Sequence, residues 1–160
     1  MAVTARTWVT DTIATAAQLN TVRDDILDLD GRVDAVIRYF QLAVFDWGEN
    51  VSTGDAKWYI HIPEYLTGYD LVEVHAEVIV AGTTGTTDIQ IHNLTDASDM
   101  LSTVLTIDSG ETGSDTAATP AVINTTEDDV VTNDVIRIDI DAVSTTPPKG
   151  LILTLGFRKP

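Results

Sequence analysis

Several stretches of this chain alternate between apolar and polar residues at every second position. The clearest is LVEVHAEVIV, residues 71–80, and DIQIHNL (88–94) and VIRIDIDAV (135–143) repeat the pattern. Successive side chains of a β-strand point to opposite faces, so this period predicts strands with one buried and one solvated face. Strands of that kind are typical of antiparallel sheets.

Eight short segments have a strand-like pattern, and residues typical of turns separate them. They are 41–47, 57–62, 71–80, 88–94, 102–108, 121–123, 135–143 and 151–157. In the seventh segment the pattern places Ile136, Ile138 and Ile140 inward and Arg137, Asp139 and Asp141 outward. No helical period interrupts residues 41–160, which argues against βαβ units. We therefore predict a mainly β fold in which an antiparallel, jelly-roll-like β-sandwich of about eight strands occupies 41–160.

The period is different in LNTVRDDILDLDGRVDAV, residues 19–36, where apolar residues recur at intervals of three and four. Each heptad contributes only two apolar residues to the stripe. A helix that packs on a globular core has a wider face, with three or four apolar residues per two turns. The seam residues are Leu19, Val22, Ile26, Leu29, Val33, Val36 and Phe40. We predict a coiled-coil helix over 15–40 that makes the chain an oligomer. The heptads leave dimer and trimer open, and the alternative is a monomer whose helix lies across its own sheet.

Residues 1–14 precede the predicted helix and form an N-terminal arm rich in threonine. Trp8 and Val9 are its only sizeable apolar pair. The arm is a candidate anchor that inserts this pair into a partner surface, or else it packs against its own domain.

The charge of the chain restricts its partners. It has 25 acidic and 9 basic side chains, a net charge of −16, and no cysteine. A polyanion repels phosphates and anionic lipid, so we expect no nucleic acid and no membrane as primary partner. We expect cations or basic proteins to be attracted, and neither disulfides nor thiolate metal sites are available.

One motif has a precedent in catalysis. Ile107-Asp108-Ser109-Gly110 contains the Asp-Ser-Gly core of aspartic proteases, in which two carboxylates share a proton. A single copy would require a dimer that uses Asp108 from each chain, and Glu111 follows where a small residue is expected. A turn at the end of a strand explains the motif better, so we expect no catalytic residue and no enzyme.

The remaining candidate sites are metal ligands and aromatic side chains. His61, His75 and His92 fall at outward strand positions without metal-ligand spacing. The loop acids Glu127, Asp128, Asp129 and Asp134 are weak calcium candidates outside the EF-hand register, and no cofactor is expected. Trp47, Trp58 and Tyr59 are candidates for stacking on sugars, although burial in the core is the more common fate of strand aromatics.

Two regions of the chain resemble virion proteins of tailed bacteriophages. TWVTDTIATAAQLNTVRDDI (7–26) is similar to their N-terminal openings, in which Thr-Trp and Thr-Ala-Ala-x-Leu-Asn lead into a helix. TTDIQIHNLTDASDMLSTVLTIDSGETGS (86–114), together with VVTNDVIRIDIDAV and KGLILTLGF, resembles a phage structural domain of jelly-roll type.

This resemblance implies a non-enzymatic virion protein, assembled in the host cytoplasm and usually trimeric. Such proteins decorate capsids, form head fibres or belong to tail fibres, and their partners are copies of themselves and other capsid or tail proteins. The arm, the helix and the β-domain would then be anchor, neck and projecting knob. The alternative function is that of a binding protein, an adhesin knob that recognises a host receptor or surface glycan.

Overall fold

The computed structural model describes residues 16–34 and 36–160, and within the helix it describes the side chains of residues 17–29. In these residues the fold is mainly β, with antiparallel sheets and one α-helix, α1 (Ala16–Asp34). The chain divides after Asp34 into a helical unit and a β-domain. The mainly β, antiparallel prediction is thereby confirmed.

Eleven strands and one short 3₁₀ helix (Glu64–Leu66) make up the described β-domain. The strands are β1 (Arg38–Asn50), β2 (Gly54–His61), β3 (Tyr69–Val80), β4 (Thr87–Asn93), β5 (Ser98–Asp99), β6 (Leu101–Thr103), β7 (Leu105–Ile107), β8 (Val122–Ile123), β9 (Asp129–Val130), β10 (Val135–Ala142) and β11 (Lys149–Arg158). Every predicted segment contains a strand, but segment 102–108 is split into β6 and β7. The sequence pattern missed β5 and β9, because two residues are too few to display a period of two.

Two larger sheets supply the core. The first has the strand order β1-β11-β3-β9, and the second has the order β2-β10-β4-β5, with β7 also paired to β4. Strands β6 and β8 form a small third sheet, and all of these pairs are antiparallel. Buried apolar residues of both larger sheets belong to one hydrophobic cluster.

The alternation in β4 and β10 predicts the core correctly. Ile89 and Ile91 of β4 and the three isoleucines of β10 are buried, as their inward positions require. Burying each such side chain contributes about 1.5–3 kcal/mol, so these rows are a main source of stability.

Asp139 is a correction to the predicted outward row of β10, because its side chain is buried. Its Oδ1 accepts a hydrogen bond from the backbone N–H of Ala56 at 2.8 Å, and its Oδ2 accepts two from Arg137 at 2.7 and 3.0 Å. The β2–β10 register shifts here, and Ala56 has a positive φ of 61°. The carboxylate is buried because it satisfies the donor that this irregularity exposes.

The helix is shorter than predicted. It ends at Asp34, and by Phe40 the chain is already in β1, paired with Leu155 of β11. The ring of Phe40 packs edge-on against Phe157, with centroids 5.9 Å apart and planes at 90°. The predicted boundary at residue 40 is therefore too late, because ladder hydrogen bonds and an aromatic contact hold these residues in the sheet.

A close backbone approach shapes the far end of β1. The β1–β11 register shifts between Phe45 and Asn50, and Trp47 lies within this irregular stretch. Gly150 of β11 lies opposite this stretch and has a φ of +64°. A Cβ at this position would stand 2.8 Å from Trp47 Cα and 2.9 Å from Ile79 Cγ1. Glycine is required here both by its backbone conformation and by the lack of space.

Gly150→Ala is expected to lower the free energy of unfolding by about 2 kcal/mol or more, since it adds left-handed strain to a backbone collision. Gly48→Ala in the same region is the matched control. Among the described residues, nothing lies within 4 Å of a Cβ at Gly48, and its φ is outside the positive range, so little change is expected. Thermal and urea unfolding measure both variants, and equal losses would contradict this account of Gly150.

Candidate interaction site

An apolar stripe runs along α1 and is solvent-exposed in the single chain. Leu19, Ile26 and Leu29 are exposed to 59%, 58% and 55%, and Val22 lies on the same face. Spacings of three and four residues bring these four side chains into one row along the helix. An ordered row of this kind is a candidate association surface, because a contiguous exposed apolar patch favours burial against a partner.

The structure limits the helical part of the predicted seam. Val36 is exposed but follows the end of the helix, and Phe40 packs on the β-domain core. The side chain of Val33 lies outside the described residues, as do the anchor candidates Trp8 and Val9. The described seam consists of the four residues from Leu19 to Leu29, which we call the helix stripe.

The three candidate aromatic side chains lie at the surface. Trp47 is 80% exposed, and Trp58 and Tyr59 are also exposed. The prediction that strand aromatics are more often buried in the core is wrong for these three side chains. Trp58 and Tyr59 lie on β2, an edge strand of the second sheet. Within residues 36–160, no strand flanks β2 on its outer side to cover these large rings.

His75 is the centre of a polar cluster on β3. Its Nδ1 lies 2.8 Å from an oxygen of Asp115 and 3.3 Å from Ser114 Oγ, and its Nε2 lies 3.5 Å from Glu77. Ser114 is held beside the strand, since its Oγ accepts from the N–H of Ala76 at 3.0 Å and its own N–H donates to the carbonyl of Ala76 at 3.0 Å. His75 thus ties the segment after β7 to the first sheet.

A pocket of about 470 Å³ lies next to this cluster. Its lining is mainly apolar, and the polar residues Glu73, Ser114 and Asp115 also contribute to it. The apolar members are Val72, Val74, Leu105, Pro120, Ala121, Val122 and Ile123. An apolar lining with a few polar groups is the usual composition of a ligand pocket, and we call this the β3–β8 pocket after the strands that contribute to it.

The other two histidines have simpler surroundings. His92 Nδ1 lies 2.7 Å from an oxygen of Asp99, its cross-strand neighbour on β5, and His61 is exposed at the end of β2. The sequence contains a signal for the His92–Asp99 contact, because the polar turn after β4 predicts a hairpin that brings these two residues together. Asp115 had no such signal, since 40 residues separate it from His75.

The Asp-Ser-Gly motif forms a turn after β7. Asp108 Oδ2 accepts from the N–H of Ala118 at 2.7 Å, and Ser109 Oγ accepts from the N–H of Thr84 at 2.8 Å. Gly110 has φ at +83°, and the N–H of Glu111 donates to the carbonyl of Asp108 at 3.1 Å. These side chains hold neighbouring loops together, which favours the turn interpretation of the motif.

The four calcium candidates have different surroundings. Asp134 is buried, with Oδ2 accepting from the N–H of Val131 at 2.8 Å and from the amide of Asn93 at 3.2 Å, whereas Asp129 is exposed. Across the described parts of the chain, no group of three or more His, Asp or Glu side chains is placed to hold a metal ion. Glu127 and Asp128 are half-buried and complete no such group, so calcium binding here stays a prediction.

Around β9, burial and neighbouring carboxylates raise the pKa of two aspartates. Burial, followed by the charge of Asp129, raises the pKa of Asp70, and Arg158 partly offsets this. Burial and then the charge of Asp70 raise the pKa of Asp128. A carboxyl group whose pKa is higher in the folded state destabilises that state when it is ionised.

Asp70→Asn is therefore expected to stabilise the protein at pH 7, by less than about 1 kcal/mol because the site is solvent-screened. Ionised Asp70 disfavours folding above its folded pKa, and this penalty disappears as pH falls through that value. The gain should thus vanish near pH 3, below the ordinary aspartate pKa of 3.8. Urea unfolding across pH measures this gain, with Asp46→Asn on β1 as the equal-charge control. A variant less stable than wild type at pH 7 would contradict the cost of burying an ionised Asp70 beside Asp129.

No helix within the described residues is long and apolar enough to cross a membrane. No protein-family model matches the chain. The search of curated proteins and the search of solved structures each returned no match to it.

Proposed function

We propose that this protein is a non-enzymatic structural component of a bacteriophage virion and acts as a homotrimer. Copies would associate through α1, attach to the particle by the N-terminal arm and project the β-domain. The observation that carries this proposal is the exposed helix stripe. Apolar side chains in a narrow heptad row typically pack against the same row of a partner helix in a coiled coil. The assignment to a virion rests on the sequence resemblance of residues 7–26 and 86–114.

The length and charge of α1 limit how the oligomer is held together. A helix of 19 residues is close to the lower limit for stability in water, so the stripe must be buried for the helix to persist. Asp25 and Asp30 would face each other as like charges between parallel helices, and Gly31 lowers helix propensity by about 1 kcal/mol. We therefore expect contacts between β-domains to contribute to assembly as well.

We infer that the β-domain is a jelly roll. Strands β1 to β4 alternate between the two larger sheets, and β9, β10 and β11 alternate again. The returning strands lie between the early ones, with β11 between β1 and β3 and β10 between β2 and β4. This order corresponds to two Greek keys wound together, an architecture that recurs in viral capsid and lectin domains.

An adhesin is the second candidate function, and one observation favours it. Trp47, Trp58 and Tyr59 present aromatic rings to solvent, and exposed rings of this kind can stack on the apolar faces of sugars. In this case the projecting domain would recognise a host surface glycan.

The oligomer seam is tested by a pair of substitutions on neighbouring residues. Ile26→Asp places a charge in the helix stripe and is expected to convert the trimer to monomer, because an unpaired charge cannot be buried in an apolar seam. Leu27→Asp is the matched control. Leu27 is exposed to 60% but lies off the stripe, so this variant should remain oligomeric.

Sedimentation equilibrium measures both variants against the 17.3 kDa monomer mass. A wild-type protein that sediments as a monomer at micromolar concentration would overturn the oligomer proposal. An equal effect of both substitutions would exclude the stripe as the seam.

The location and the adhesin alternative are tested together on purified phage particles. We expect peptide mass spectrometry to detect the chain in the virion, immunogold labelling to place it at regular positions, and a glycan array to show no binding. Glycan binding that Trp47→Ala abolishes, with labelling confined to the tail tip, would favour the adhesin. Absence of the chain from purified particles would overturn the virion assignment.

A further inference from the structure

Two edge strands, β1 and β2, lie on the same side of the β-domain. β1 begins the strand order β1-β11-β3-β9, and β2 begins the order β2-β10-β4-β5 of the sheet that shares its core. The chain crosses from one sheet to the other between β1 and β2, between β3 and β4, and between β10 and β11. This matched order places β1 beside β2, and we call the surface formed by residues 38–45 and 56–62 the open side.

The hydrophobic core is incompletely covered at the open side. Leu42 is paired with Leu153 and Trp58 with Ile138, and both partners are completely buried. Paired residues of antiparallel strands point to the same face, so Leu42 and Trp58 belong to the core-facing rows. Nevertheless Leu42 and Phe40 are only partly buried, and Trp58 is 43% exposed. A partner that packs here would therefore extend the core.

The edges themselves carry little protection against association. Within residues 36–160, neither β1 nor β2 has a strand on its outer flank. Edge strands are commonly protected by bulges or by charged side chains, but β1 pairs regularly with β11 from Arg38 to Ala43, and its first register shift follows Ala43. The regular part of β1 is thus open to a neighbour.

The charge of the open side suits a second copy of this chain. Acidic residues occupy 25 of the 160 positions, and each copy has a net charge of −16, so copies repel one another wherever carboxylates meet. Residues 38–45 and 56–62 contain Arg38 and Lys57 but no aspartate or glutamate. The other strands bring carboxylates to their surfaces: Glu73 and Glu77 on β3, Asp88 on β4, Asp141 on β10, Asp99 on β5 and Asp129 on β9.

The covalent chain also brings the open side close to the proposed oligomer seam. Only residues 35–37 separate the end of α1 from Arg38, the first residue of β1. A connection of this length spans at most about 14 Å. In an oligomer joined at the helix stripe, the β1 strands of the copies must therefore begin close to the seam.

We propose that the open side of each β-domain packs against the open sides of the other copies and forms the second contact of the trimer. Leu42 and Trp58 are buried in this contact, and Arg38 and Lys57 reduce the repulsion between the acidic copies. The inference rests on the proposed homotrimer and identifies the surface through which its β-domains meet. Trp58 is then not available to a glycan.

Spin labels test the placement without disturbing the contact. The chain has no cysteine, so Gln41→Cys on β1 and Thr125→Cys each provide a single labelling site on an exposed residue. Thr125 follows Asn124, whose side-chain amide donates to the carbonyl of Asp99 on β5, the last strand of the second sheet. In the full-length trimer, double electron–electron resonance should give distances within about 25 Å between Gln41→Cys labels and beyond about 40 Å between Thr125→Cys labels, because a domain of this size separates them.

A pair of identical substitutions tests the energy of the contact. Trp58→Glu places a carboxylate in the open side and should raise the protein concentration at which half of the trimer dissociates at least about tenfold. Trp47→Glu is the matched control, since Trp47 is also an exposed tryptophan on an edge strand but lies between Asp46 and Glu49, outside the open side. It should leave this concentration unchanged in sedimentation equilibrium.

The outcomes separate this inference from the proposed function. A trimer in which the Gln41→Cys labels are at least as far apart as the Thr125→Cys labels would overturn the inference and leave the trimer standing. Equal dissociation of the two glutamate variants, or none in Trp58→Glu, would also overturn it. A wild-type protein that sediments as a monomer would overturn both proposals. The distances are measured without the glutamate variants, so they decide the question even if Trp58→Glu fails to fold.

Discussion

The first sheet depends on β11, which pairs along most of its length with β1 on one side and β3 on the other. Without β11 those two strands, the longest in the domain, have no common neighbour. The same strand supplies Phe157, on which Phe40 packs, and Gly150, over which the chain bends at Trp47. Contacts between residues more than a hundred positions apart thus complete the core, a topology associated with slow folding.

Much of the fold was predictable because the strands have a short, local period. In β4 and β10, alternation identified the buried isoleucines without any knowledge of their neighbours. The burial of Asp139 could not be predicted in this way, since it depends on a register shift in β2 that exposes the N–H of Ala56. The end of the helix was equally hidden, because the heptad pattern continues through Val36 to Phe40 while pairing with β11 places Phe40 in the sheet.

The candidate surfaces were predictable to different degrees. The helix stripe could be identified from its spacing alone, since every member lies on one local element. The β3–β8 pocket could not, because residues near positions 73, 105, 115 and 122 come together only in the folded domain. Exposure of Trp58 follows from the edge position of β2, which becomes known only with the strand order. Prediction therefore worked where neighbours in sequence determine the outcome, and failed where strand pairing does.

The position of β11 in the chain also affects the order of events during synthesis. Domains begin to form as the chain emerges from the ribosome, N-terminal parts first. Helix α1 emerges early, whereas the first sheet lacks the strand between β1 and β3 until residues 149–158 have been translated. Two chains growing on neighbouring ribosomes of one messenger RNA would therefore expose their helix stripes to each other while their β-domains are still incomplete. Assembly that starts at the helix would then hold incomplete domains of the same protein close together, where unpaired strands β1 and β3 of different copies are exposed to mispairing.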